Sequence, residues 1–121
     1  MKLVTPDDFE EAIRMLRSAD AEKYEDWFSW LEAQENLLLY IQDIADLLRF
    51  ETEDLSMRST LVELIGIADL EEYVPLLVQE LSHQDRLVRS WAYGMLVISD
   101  HEFARALADD YRRAHPEEDF Y

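Results

Sequence analysis

Neighbouring carboxylates recur along this 121-residue chain, among them Asp7-Asp8, Glu10-Glu11, Glu25-Asp26, Glu71-Glu72, Asp109-Asp110 and Glu117-Glu118. General acid–base work needs one carboxyl lifted toward neutral pH by burial or by a close like charge. Adjacent residues on a helix point about 100° apart, so these pairs read as a solvated face. His83, His101 and His115 lie far apart in sequence, with no His-x3-His spacing to set two ligands on one helical face. No aspartate-rich calcium loop, glycine-flanked nucleophile or glycine-rich phosphate loop is present, and the whole chain holds two glycines. The residue types therefore predict no catalytic group, no metal site and no cofactor. Arg58 and Arg89 have the chemistry of anion binders. The stronger expectation is structural: each bridges neighbouring units through a turn aspartate, with Asp54 and Asp85 at hand.

The elements that must position these side chains are helical. From Leu70 to Asp100, Val74, Leu77, Val78 and Leu81 recur at helical spacing, a polar SHQD turn follows, and Val88, Ala92 and Leu96 resume the stripe. That pattern is a helical hairpin whose two apolar faces need neighbours. A shift of 31 residues supplies them: it carries Asp54 to Asp85, Arg58-Ser59 to Arg89-Ser90, Ile67 to Ile98 and Asp69 to Asp100. Ile13 and Leu16 fall under Ile44 and Leu47 one step earlier.

Seven helices are expected. Thr5 caps the first, with Pro6 at its first position and Phe9, Ile13 and Leu16 inside, to about Arg17. Asp20 caps the second, and a third runs from Glu35 to Phe50; with no glycine or proline between them, the sequence equally allows one helix from 21 to 50. The turn 51–56 precedes a fourth helix over Ser56–Ala68, and Asp69, Asp85 and Asp100 are expected to cap the last three. The final helix runs through Phe103, Leu107 and Tyr111 to about Ala114, leaving Phe120-Tyr121 as a loose or docking tail.

The stretch YVPLLVQEL, a short turn, then LVRSWAYGML resembles a HEAT repeat, with Pro75, Asp85, Val88, Arg89 and Ala92 at the positions such repeats use. The preceding copy keeps Asp54, Arg58 and Leu61 without the proline, and the first has Trp27 where the arginine would stand. The resemblance covers about 60 residues. It implies a single all-α domain over 1–121: a short right-handed α-α superhelix, a HEAT-like array of about three hairpins plus a terminal helix. Such arrays mostly bind other molecules.

Composition narrows the partner. Twenty-eight acids against 11 bases give a net charge of −17, with −7 over residues 1–50 and −10 over 51–121. With 49% hydrophobic and 12% aromatic residues this is a folded body rather than an acidic tail. Its field opposes nucleic-acid backbones and anionic membranes and favours a basic protein. There is no cysteine, no signal-peptide core and no apolar run of membrane-spanning length, so a cytoplasmic monomer is expected.

A small, acidic, cysteine-free helical array is similar to the immunity proteins that bacteria hold against toxins. That likeness implies inhibition of a nuclease-type toxin by occlusion of its positive cleft. The alternative is a HEAT-like adaptor of a larger complex. In either role the expected partner-binding residues are aromatics beside the core register, Trp27, Trp30, Trp91 and Tyr93, ringed by Glu25, Asp26, Glu32 and Glu63; the same aromatics equally suit closing the ends of a small core.

Overall fold

A computed structural model describes residues 6–121, with side chains from Asp8 onward; the Thr5 cap lies outside the described residues. Among the described residues seven α-helices follow one another: α1 (Pro6–Leu16), α2 (Ala21–Glu32), α3 (Gln34–Phe50), α4 (Leu55–Ala68), α5 (Val74–Glu80), α6 (Arg86–Val97) and α7 (Glu102–Ala114). No strand occurs among the described residues, and the chain is all-α.

The helix nearest the centre is α4. Met57, Leu61, Val62, Leu64 and Ile65 are buried, and so are Ser59, Thr60 and Gly66, so the helix is enclosed on nearly every side. A helix without a polar face belongs in the interior. It packs against α2, α3, α5 and α6, while α1 lies on α2 and α7 on α6. The two buried hydroxyls are satisfied within the helix: Ser59 Oγ donates to Leu55 O at 2.9 Å and Thr60 Oγ1 to Ser56 O at 3.1 Å. Among the described residues every buried side-chain nitrogen and oxygen has a partner.

Where α4 crosses α6 the approach requires glycine. A β-carbon on Gly66 would overlap Met95 from its Cβ to its sulfur, whereas one on Gly94 would meet nothing within 4 Å. Gly66→Ala is expected to cost about 1–2 kcal/mol, overpacking outweighing the gain in helix propensity. Gly94→Ala is expected to stabilise by about 0.5–1 kcal/mol, since only the propensity acts. Urea unfolding followed by circular dichroism separates them; equal shifts in the same direction would contradict the crossing.

The helix ends correct several expectations. Between α2 and α3 the chain does break, without glycine or proline. Ala33 turns out of helical geometry (φ −56°, ψ 129°), and Asn36 Nδ2 donates to the Trp30 carbonyl at 2.9 Å. Leu31 and Leu37 are then both buried, which a continuous helix need not achieve. Asp20 and Asp85 cap α2 and α6 through backbone N–H groups of Glu22, Lys23 and Val88, and Asp54 caps α4 through Met57 N–H.

Asp69 does not cap the fifth helix. It ends α4 in the left-handed region (φ 48°, ψ 45°), which aspartate tolerates better than most residues. Its carboxylate instead holds the turn between α6 and α7: Ser99 Oγ donates to it at 2.6 Å and Asp100 N–H at 2.8 Å. Asp100 is likewise no cap. His101 holds that position for α7, with its N–H donating to Ser99 Oγ and its Nε2 donating to the Asp69 carbonyl at 2.8 Å.

The fifth helix opens as a 3-10 turn, Glu71–Tyr73, and ends at Glu80 rather than near Ser82. Pro75 has no N–H to give the Glu71 carbonyl an α-type bond, and the Val74 N–H takes that carbonyl in the tighter pattern. In α7 the buried positions are Ala104 and Ala108, which bring it close against α6. Phe103 and Leu107 stay 43% and 37% exposed.

Candidate functional site

Arg58 and Arg89 were the strongest candidates for anion binding, and both are committed within the chain. Arg58 on α4 grips Glu80 on α5, Nε to Oε2 at 2.7 Å and Nη2 to Oε1 at 2.6 Å. Its Nη1 donates to the Leu48 carbonyl at 3.0 Å and to that of Glu51, closing the end of α3. Arg89, 31 residues on, repeats the arrangement. Nε and Nη2 pair with Glu118 at 2.7 and 3.0 Å, and Nη1 donates to the carbonyls of His83 and Gln84. The structural role expected for these arginines holds. The expected partners do not: Asp54 and Asp85 are occupied as helix caps, and the ion pairs go to glutamates of the following segment.

The segment gripped by Arg89 is the C-terminal tail. Glu118 also accepts from the Tyr111 hydroxyl at 2.6 Å, Asp119 pairs with Arg86, and Tyr121 donates to the His115 carbonyl at 2.6 Å. Phe120 and Tyr121 pack on Tyr93 with ring centroids 5.6 and 5.1 Å away. The tail docks.

Tyr93, expected as a partner anchor, therefore already has the tail and Tyr111 against its ring, and is half-buried. Trp91 on the same helix is half-buried against the core. Trp27 and Trp30 on α2 meet edge to face at 5.5 Å, and Trp30 continues to Tyr40 at 6.0 Å. Tyr40 stacks on Phe9 at 4.8 Å, so the aromatic run crosses from α2 through α3 to α1. Sequence reasoning missed this continuation, because Phe9 and Tyr40 each sit in an ordinary apolar stripe.

Among the carboxylates, Glu25, Asp26 and Glu32 are exposed on α2 and Glu63 is half-buried on α4. Burial first, then the neighbouring Glu32 charge, pushes the Glu63 carboxyl above its ordinary value. Glu32 and Glu63 thus share one electrostatic neighbourhood between α2 and α4. Trp91 and Tyr93 lie on α6, with α4 packed against both α2 and α6. On α2 the helical turn sets Glu25 and Glu32 on the side away from Trp27 and Trp30, Glu32 toward Glu63, and on α6 Tyr93 meets the tail while Trp91 meets the core.

The histidines are used locally. His83 Nδ1 accepts from Asp85 N–H, His101 holds Asp69, and His115 faces Glu117 at 3.1 Å. Among the described residues no three His, Asp or Glu side chains converge as a metal site would require, and no helix is long and apolar enough to cross a membrane. Compared with protein-family models, with curated proteins and with solved structures, the chain matches none.

Proposed function

We propose that this chain is a small acidic binding protein that neutralises a basic protein partner, most specifically an immunity protein occluding the positive substrate cleft of a nuclease-type toxin. Its hairpins α1–α2, α3–α4 and α5–α6, with α7 as terminal helix, would form a short HEAT-like right-handed array. The observation that carries the reading is uncompensated charge on a rigid body. Of 11 bases, seven arginines (14, 17, 49, 58, 86, 89 and 113) already pair with carboxylates of this chain. The acid excess of 28 to 11 is therefore displayed outward with few cations left to soften it. A nuclease cleft must be positive to hold phosphates, and a rigid carboxylate surface is attracted to the same field.

Trp27 and Trp30, half-buried on the same helix that carries the exposed Glu25, Asp26 and Glu32, supply apolar anchors, and Trp91 offers another on α6. Replacing the exposed Glu25 and Asp26 together by lysine is expected to slow association with the basic partner about tenfold at low salt, leaving the helical signal unchanged. Trp91→Ala is expected to weaken the complex about tenfold or more with the fold retained. Stopped-flow association and equilibrium titration check both; association rates indifferent to charge and to salt would sink the proposal.

A further inference from the structure

A groove of about 480 Å³ runs between α1 and α3, outside the surface expected from the sequence. Its floor is apolar: the stacked pair Phe9 and Tyr40, then Leu47 and Phe50. Its rim is acidic, with Glu10 from α1 and Asp43 and Asp46 from α3. Phe50 ends α3 with 81% of its surface exposed, and Leu39, on the same helical stripe as Asp43 and Phe50, is 59% exposed. Large apolar side chains left in solvent beside a shaped depression mark an interaction surface rather than an ordinary helix face. The field there is negative: after burial, the charges of Asp8 and Asp43 raise the Tyr40 phenol above its ordinary value.

We infer that this groove docks an amphipathic basic segment of a protein partner, its apolar side chains on Leu47 and Phe50 and its arginines against Asp43 and Glu10. The inference rests on the proposed binding function and assigns it a second, separate contact. The charge decides among occupants. A second copy would bring another −17 to the same face, and an anionic membrane would be repelled. A guanidinium gains twice here, from the rim carboxylates and from the ring faces of the floor. The groove also adjoins Trp30 through Tyr40, so one partner can span both the α2 surface and the groove.

The test uses the full chain, isotope-labelled, and a synthetic helical peptide with arginines on one face and leucines on the other. A control peptide replaces the arginines by glutamines. Backbone shifts are expected to concentrate at Phe9, Asp43, Leu47 and Phe50. The control is expected to bind at least about tenfold more weakly. Asp43→Lys and Phe50→Ser, both at exposed positions, are each expected to raise the dissociation constant about tenfold. Shifts centred instead on Glu25, Asp26 and Glu32 would overturn the groove while leaving the acidic-binder reading in place. No binding at low salt would overturn both. Nuclear Overhauser contacts from residues 1–5 to Phe50 would make the chain's own N-terminus the occupant, and concentration-dependent broadening confined to the groove would make it a second copy; either excludes a partner segment.

Discussion

Glu80→Ala is expected to lower the unfolding free energy by about 2–4 kcal/mol, the largest effect of any single charged residue here. Glu80 is 3% exposed, and both its carboxylate oxygens are taken by Arg58. Truncation leaves the guanidinium, whose side chain is 12% exposed, with the Leu48 and Glu51 carbonyls and only the more distant Glu51 carboxylate as counter-charge. A charge stranded in that way costs more than the pair contributes, because desolvation is no longer offset. The slight opening of the site and the two remaining carbonyls place the figure below that of a fully enclosed pair. The double change Glu80→Leu with Arg58→Met is expected to recover most of the loss, since neither charge is then buried. Urea unfolding of the three variants measures this. A single-variant loss under about 1 kcal/mol would show the pair to be peripheral.

Glu118→Gln is expected to destabilise by about 2–3 kcal/mol at neutral pH, and the difference is expected to vanish in acid. The Arg89 hydrogen bonds hold the Glu118 carboxyl down at about 2, against an ordinary 4.5, with the Tyr111 hydroxyl and the Arg89 charge assisting and burial opposing. Arg89 responds in the matching direction, its own value raised chiefly by Glu118. The folded value lies below the unfolded one, so the native state favours the ionised form. That stability is fully present above about 4.5 and is lost as pH falls through about 2. Glutamine keeps hydrogen-bonding capacity but does not titrate. The gap between native chain and variant should therefore close over that window, even as protonation of other acids relieves the −17 repulsion in both. Melting curves at pH 7, 4 and 2.5 read it out. A constant gap across that range would mean that Glu118 acts through shape alone.

These two glutamates mark what the sequence concealed. The 31-residue shift from Arg58 to Arg89 is plain in the chain, and the arginines do play one role twice. Their partners lie 22 and 29 residues away, because Arg58 on α4 meets α5 whereas Arg89 on α6 meets the segment that follows α7. Glu80 lies on a helix and Glu118 beyond one, and no periodicity announces that difference.

Asp69 and Asp100 misled for a related reason. An aspartate after an apolar run reads as a cap for the next helix, but the backbone reversal that ends α4 leaves Asp69 left-handed and its carboxylate aimed at the turn between α6 and α7. Asp85, with an extended backbone and α6 directly after it, caps as expected. Among the candidate contacts, a helical stripe locates Trp27, Trp30 and Trp91 beside the core, yet half-burial depends on what the neighbouring helix brings. The groove at Phe50 depends on how α1 is placed beside α3, which no residue pattern in either helix records.

The central claim, that an acidic helical body captures and silences a basic protein, meets its most direct test in a capture experiment. A tagged full-length chain is incubated at low salt with extract of the cells that carry its gene, and retained proteins are identified by mass spectrometry and assayed for nuclease activity. The expected result is one stoichiometric basic protein, released by salt, whose nuclease activity falls as this chain is added back. Retention of subunits of a larger assembly, with no activity suppressed, would contradict inhibition and make the chain an adaptor.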